Sequence, residues 1–229
     1  MNPIGDGYFL INKPAGWTSF DCVQFLKHRY GFKKAGHAGS LDPIATGLMV
    51  ILVNGATRWF DELQKRSKVY ETRLLLGVSF DTQDITGTVT EFRPPETEPS
   101  ETKVCEALQS FVGETLQTPP AYSALKVKGK PAYTYARKGE MLTLPGRPAF
   151  IHKIELLQYR FPEISFRVEC KKGFYVRTLC FDLAGKLGAA GTLCALKRLA
   201  QSGHTLEEAL SMDQLPENIA PRLKTLSPL

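Results

Sequence analysis

Long hydrophobic runs are absent: the longest purely apolar stretch, Leu48–Val53, has six residues, whereas a membrane-spanning helix needs about 20. The opening residues carry Asp6 and Lys13 without a basic-then-apolar leader, so the chain reads as a soluble, cytoplasmic protein with no signal peptide. Histidine is scarce, at four residues, and none has a second histidine or cysteine three or four positions away. The five cysteines (Cys22, Cys105, Cys170, Cys180 and Cys194) are odd in number and never spaced C-x-x-C. Paired spacing is what a disulfide framework or a zinc ribbon requires. The cysteines therefore read as small buried hydrophobes, and neither a metal nor a cofactor is expected. The glycine patterns that cradle nucleotide phosphates, G-x-G-x-x-G and G-x-x-x-x-G-K-[ST], are missing, as is the nucleophile elbow G-x-S-x-G. Dehydrogenase, P-loop ATPase and serine hydrolase readings have no support.

Acidic residues are the minority, 23 against 29 basic ones, for a net charge of +6. That balance points to a polyanionic partner. The stretch Tyr122–Lys138 concentrates it: Lys126, Lys128, Lys130, Arg137 and Lys138 occur with no acid, interleaved with Tyr122, Tyr133 and Tyr135.

The 229 residues suffice for one sizeable core, with a single domain expected over 1–212 and a tail over 213–229. Helical spacing predicts four main helices. The first carries Phe20, Val23, Leu26 and Tyr30 behind a Thr18/Ser19 cap; the second carries Ala56–Leu63. The third, Val104–Phe111, closes at Gly113, and the fourth, Val176–Leu183, ends near Gly185 or Gly188. A further short helix is expected at Thr205–Ser211. Strands are expected at Tyr8–Asn12, Leu48–Val53, Val69–Leu76, Thr88–Phe92, Ile151–Phe161 and Ile164–Lys171. The last two are joined at Pro162 and Glu163 as a hairpin. Strands and helices do not alternate strictly, so the fold class is α+β with a mixed, mainly antiparallel sheet.

Two segments can carry chemistry. In Ala35-Gly36-His37-Ala38-Gly39-Ser40-Leu41-Asp42-Pro43-Ile44-Ala45-Thr46-Gly47, the glycines permit close backbone approach. His37 is either a protruding functional group or an ordinary loop histidine, and Asp42 before Pro43 is also an ordinary helix N-cap or turn start. In Lys171-Lys172-Gly173-Phe174-Tyr175-Val176-Arg177-Thr178-Leu179, Arg177 falls in the first turn of a helix, where the dipole disfavours cations. It calls for an anion, phosphate or buried carboxylate, unless it is simply exposed and screened. Tyr70 in Lys68-Val69-Tyr70-Glu71 reads by itself as a core tyrosine.

Gly36 through Gly47 resembles the catalytic motif of the bacterial tRNA pseudouridine-55 synthases of the TruB type. Six other segments agree in order: Lys13-Pro14-Ala15-Gly16-Trp17-Thr18-Ser19, Lys68–Glu71, Asp81-Thr82 through Gly87, Gln117–Lys126 with Tyr135–Gly139, Lys172–Thr178, and Leu196-Lys197-Arg198-Leu199. Coverage runs from about Gly7 to Ala209. The resemblance implies the pseudouridine synthase fold and a cofactor-free isomerisation of uridine in the tRNA T-loop, by a monomer without an obligate protein partner. It implies Asp42 as the catalytic carboxylate, Tyr70 as the ring stacked on the flipped uracil, and Arg177 as the partner of Asp42. His37 would wedge into the T-loop, Tyr175 and Leu196 would line the base pocket, and Lys13 would bind substrate. Ala38 stands where the family usually has threonine, and the family's C-terminal RNA-binding PUA domain is expected to be absent. Two other readings share these residues: a guide-RNA-dependent synthase, and a tRNA-binding or folding protein with secondary catalysis.

Overall fold

In the computed structural model, which describes residues 4–140, 142 and 144–225, the chain begins with β1 (Gly7–Lys13), α1 (Ser19–Tyr30), β2 (Ala35–His37), β3 (Thr46–Val53), α2 (Phe60–Lys65) and β4 (Lys68–Leu76). It continues through β5 (Val78–Phe80), β6 (Val89–Phe92), α3 (Glu101–Gln109), β7 (Gly113–Gln117), β8 (Lys126–Val127), β9 (Lys130–Pro131) and α4 (Ala132–Ala136). Then come the long strands β10 (Arg147–Arg160) and β11 (Glu163–Cys170), α5 (Val176–Lys186), and finally β12 (Gly191–Gln201), β13 (His204–Thr205) and β14 (Leu210–Ser211).

The chain divides into two compact units, residues 1–70 with 196–229 and residues 71–195. The described part of the tail expected after residue 212, 213–225, belongs to the first unit, and its last four residues lie outside the described ones.

The first unit is organised by β3. Its six-residue apolar run is buried on both faces, which is why it shows no alternation. β3 pairs antiparallel with β1 and β2 and parallel with β12, and β1 pairs parallel with β14. Tyr8, Leu10, Leu48, Val50 and Leu52 meet Ala38, Ala56 and Leu63 on one side. Helix α1 starts at the expected cap: the Asp21 amide donates to Thr18 Oγ1 at 3.0 Å, and the Thr18 amide donates to Asp21 at 2.8 Å. These two bonds form a capping box. Gly31, at φ 67°, ends the helix in the left-handed region. The buried face is Ser19, Cys22, Val23 and Leu26. Phe20, expected in that face, is 65% exposed.

The second unit is the antiparallel order β4-β11-β10-β7. Cross-strand pairs from Tyr159 with Ile164 to Ile154 with Val168 confirm the expected hairpin. Ile164, Phe166, Val168 and Cys170 all point into the core, as their alternation predicts. Helix α3 lies against β10, where Gln109 donates to the Ile154 carbonyl at 3.1 Å.

Three local expectations are corrected. The segment expected as helix at Ala56–Leu63 is a 3₁₀ turn (Asn54–Trp59) followed by α2. The helix expected at Thr205–Ser211 is a short 3₁₀ turn at Leu206–Glu208 followed by strand β14. Strand β12 was not expected at all. Its residues are buried on both sides for much of its length, so it lacks the period-two signature.

Candidate active site

Asp42 lies half-buried in the loop between β2 and β3. The Ala45 amide donates to the Asp42 carbonyl at 3.0 Å, closing a turn with Pro43 at its second position, where a fixed φ is favourable. Asp42 is therefore a turn start rather than a helix N-cap, since β3 follows immediately at Thr46.

The residues on either side of Asp42 are held by the segment that links β1 to α1. Ahead of it, the Ser19 hydroxyl donates to the Leu41 carbonyl at 3.0 Å and accepts from the Leu41 amide at 2.8 Å. Behind it, the Pro43 carbonyl accepts from the Gly16 amide at 2.9 Å and from Lys13 Nζ at 3.3 Å. Lys13 also donates to the carbonyls of Pro14, at 2.8 Å, and Trp17, at 2.6 Å. Its side chain is wholly buried. Burial pulls the ammonium below its usual pKa, opposed by the nearby Cys22, Asp42 and Asp21 groups. With three carbonyls on three N–H donors, Lys13 braces the Asp42 loop.

Strand β12 closes the loop from the other side. Arg198, 0% exposed, donates through Nε to the Leu48 carbonyl at 2.6 Å, through Nη1 to Ser40 at 3.3 Å and through Nη2 to Gly39 at 3.1 Å. Burial lowers its pKa, opposed by the nearby Tyr70 side chain. Gln201 donates to the Ala38 carbonyl. The approach needs glycine at two places. A Cβ on Gly47 (φ +105°) would lie 2.3 Å from the Arg198 carbonyl oxygen, and one on Gly39 (φ +138°) would lie 3.3 Å from Gln201 Nε2.

Tyr70, near the start of β4, and Leu196, on β12, are both buried, at 7% and 8% exposure. His37 ends β2, and its Nδ1 is buried without a hydrogen-bond partner. Burial, then the Arg198 cation, lowers its pKa, so the ring is a neutral imidazole near pH 7.

The second unit carries Tyr175 and Arg177. Tyr175 is the N-cap residue of α5, and Gln117 clips its backbone in both directions. The Tyr175 amide donates to Gln117 at 3.0 Å, and Gln117 Nε2 donates to the Tyr175 carbonyl at 3.1 Å. Arg177 is 4% exposed, which removes the screened-surface reading. It donates to the carbonyls of Thr82, at 2.6 Å, and Tyr122, at 2.9 Å, and its Nε lies 3.9 Å from the Asp84 carboxylate. The anion that its helix position called for is thus present as a buried carboxylate. The Asp84 carboxylate also accepts from the hydroxyls of Thr82, at 2.9 Å, and Thr86, at 2.5 Å.

The basic stretch folds as the β8–β9 hairpin and α4. Lys128 and Gly129, at φ 47° and 80°, form the two-residue turn that matches strand twist. Lys126, Lys128, Lys130, Arg137 and Lys138 are all exposed, and the Arg137 guanidinium lies over the Tyr133 ring at 5.2 Å.

Ser19, Arg198, Gln201 and Asp84 carry the site's geometry, although the sequence reading gave none of them a site role. Most of their partners are backbone carbonyls far along the chain, which leave no local pattern. Among the described residues, no group of three or more His, Cys, Asp or Glu side chains could hold a metal ion, and no helix is long and apolar enough to cross a membrane.

Comparison with known proteins agrees with this geometry. Residues 27–176 match the family described as TruB family pseudouridylate synthase, N-terminal domain. The tRNA pseudouridine synthase B of Syntrophus aciditrophicus is 42% identical over 212 residues, 93% of this chain and 67% of that protein. That of Limosilactobacillus reuteri is 41% identical over 221 residues, 94% of this chain and 73% of its own. A chain in the crystal structure of a Cbf5-Nop10-Gar1 complex superposes with a TM-score of 0.71 at 24% identity. This chain covers 52% of that one, and the likeness is one of fold. A family match across the Asp42 loop and the start of α5, with relatives above 40% identity over more than nine-tenths of the chain, places this chain in the TruB family of pseudouridylate synthases.

Proposed function

We propose that this chain isomerises uridine to pseudouridine in the T-loop of tRNA, working in the cytoplasm as a monomer, without a guide RNA or an obligate protein partner. The observation that carries the reading is the Asp42 loop, held on both flanks by Ser19, Gly16 and Lys13 and from β12 by Arg198. A loop whose backbone is held at so many points carries its carboxylate from a fixed Cα, which favours covalent or proton-transfer work at one place on a bound base.

A uracil stacked in a loop is unreachable, so the base must be flipped out, at a cost of a few kcal/mol offset in the receiving pocket. Tyr70 supplies the π-face for the extruded base, with Leu196 and Tyr175 as the apolar walls. The bond from the ribose to N1 breaks with Asp42 as nucleophile or base, the uracil turns, a bond forms from the ribose to carbon 5, Tyr70 removes the carbon-5 proton, and N1 takes up a proton in its place. No atom is gained or lost, and no redox or phosphoryl step occurs. Arg177 pairs with the Asp42 carboxylate in this proposal. Neutral His37 wedges into the T-loop, where an uncharged ring costs less to desolvate, and the hairpin lysines track phosphates.

Incubating the protein alone with an unmodified tRNA transcript and mapping pseudouridine tests this directly. Conversion at one T-loop uridine is expected, and also on a bare T-arm hairpin. Asp42→Asn should abolish it while changing tRNA affinity by no more than a few-fold. Residual turnover above about a thousandth, a barrier change under about 4 kcal/mol, would remove Asp42 from the chemistry.

A further inference from the structure

Beside the Asp42 loop the first unit holds an open cleft of about 690 Å³, within the range of about 300–1,000 Å³ usual for small-molecule sites. Its lining joins apolar Trp17, Phe25, Pro14 and Met212 to charged Lys197 and Asp213. Trp17 is half-buried, and its ring meets that of Phe25 edge-on, with centroids 5.6 Å apart at 75°, a pairing that holds the indole in place. Lys197 and Asp213 are exposed, and the Asp213 carboxylate accepts from the Ser211 hydroxyl at 2.5 Å. Two links tie the cleft to the loop that carries Asp42. Lys13 Nζ donates to the Trp17 carbonyl at 2.6 Å and to the Pro43 carbonyl at 3.3 Å. Thr46, which also lines the cleft, pairs in register with Lys197.

From this combination we infer that the cleft is a second nucleotide subsite, which takes an unpaired nucleotide of the substrate RNA close to the target uridine. The base stacks on Trp17 against Pro14 and Met212, its phosphate meets Lys197, and its exocyclic amine donates to Asp213. A carboxylate among the lining residues selects for this occupant. It repels a bare phosphate, and it accepts from an amine on a base edge, as carboxylates do from cytosine. A purely apolar ligand would use neither charge. Single-stranded loops are where RNA offers splayed bases for stacking on aromatic rings, so the occupant is a loop nucleotide rather than a paired one.

The inference rests on the proposed action on RNA, and its test reads binding rather than turnover so that the two can fail separately. The chain has two tryptophans, Trp17 and Trp59, and Trp59 packs on the core cluster of the first unit, outside the cleft. In Trp59→Phe protein the indole emission therefore reports Trp17 alone. A T-arm hairpin RNA should quench it. Cytidine monophosphate should quench it too, with uridine monophosphate binding about fivefold or more weakly, and inorganic phosphate at the same concentrations should leave it unchanged. Should Trp59→Phe fail to fold, the difference in emission between wild type and Trp17→Phe gives the same reading.

Two variants test the contacts on the hairpin RNA itself. Trp17→Ala should weaken its affinity by about tenfold or more, the loss of one base–aromatic stack. Lys197→Ala should flatten the slope of log affinity against log salt by about 0.7, one phosphate of a single strand. A hairpin that binds without changing Trp17 emission, or that binds Trp17→Ala as tightly as wild type, would overturn the subsite. Quenching by phosphate equal to that by cytidine monophosphate would overturn the nucleotide assignment and leave a plain anion site. If the wild-type protein neither binds the hairpin nor forms pseudouridine, the proposed function fails, and the nucleotide titrations still decide whether the cleft takes a nucleotide.

Discussion

Ser19 and Leu41 exchange two hydrogen bonds through a single hydroxyl, donating at 3.0 Å and accepting at 2.8 Å. The first residue of α1 thereby pins the residue immediately before Asp42, and both are buried. The same helix start also carries the Thr18 capping box. Two adjacent residues therefore do separable jobs, one holding the helix and the other holding the loop that carries Asp42.

Thr18→Ala and Ser19→Ala should separate those jobs. Losing the cap costs about 1 kcal/mol of stability, and leaving the Leu41 amide and carbonyl unpaired costs about 1–3 kcal/mol. Only Ser19→Ala is expected to slow single-turnover conversion, by about tenfold or more. Equal rates for the two variants in a stopped assay at saturating enzyme would show that the hydroxyl does not position Asp42.

His37 makes folding stability depend on pH. Burial, then Arg198, holds its imidazole below the ordinary value of 6.5. Its contribution is therefore complete above about pH 6.5. Below that the unfolded chain takes up a proton that the folded one resists, and stability falls until the lowered folded value is passed. Urea unfolding at pH 7.5, 6.0 and 5.0 should show a steeper loss for wild type than for His37→Gln. Parallel curves for the two proteins would mean that the ring is not held neutral by the fold.

Much of this fold was legible where one face is buried and the other is wet. Ile164, Phe166, Val168 and Cys170 alternate with polar residues and are the core face of β11. Thr18, Asp21 and Gly31 mark the ends of α1 by side-chain and backbone rules that act locally. Strand β12 was illegible because both its faces are largely buried, so it shows no alternation. The brace around Asp42 was illegible for a different reason. Ser19 reaches 22 residues ahead and Arg198 reaches 150 residues back, and both end on backbone atoms that every residue possesses. Only family resemblance named Asp42 and Tyr70 as site residues, and the helix position of Arg177 left phosphate, buried carboxylate and screened surface open, of which the structure shows a buried carboxylate, that of Asp84.

The β8–β9 hairpin should contribute the salt-dependent part of RNA affinity. Lys126, Lys128 and Lys130 are exposed on a two-residue turn, the form in which ammonium groups meet phosphates as point charges. Replacing all three with alanine should flatten the slope of log affinity against log salt by about one unit for each phosphate no longer neutralised. The single-turnover rate at saturating enzyme should change little. An unaltered slope would return these lysines to ordinary solvated surface.

Arg177 donates in its own unit to the carbonyls of Thr82 and Tyr122, with Asp84 at 3.9 Å. Two consequences of its loss can therefore be told apart. If Arg177 served only to neutralise Asp84, then removing the Asp84 charge should be as harmful as removing the arginine. Asp84→Asn keeps the shape and most of the hydrogen bonds from Thr82 and Thr86, so it isolates charge from geometry. If Arg177 works on the Asp42 carboxylate as proposed, Asp84→Asn should lower stability by about 1–3 kcal/mol and leave single-turnover conversion within about threefold. Arg177→Lys, which keeps the cation but loses its planar fork, should slow conversion by about a hundredfold or more, with tRNA affinity nearly unchanged. Folding is checked by thermal melts of each variant, so that a rate is compared only between folded proteins. Matching rate losses for Asp84→Asn and Arg177→Lys would place the role of Arg177 in the second unit's own packing and take it out of the reaction.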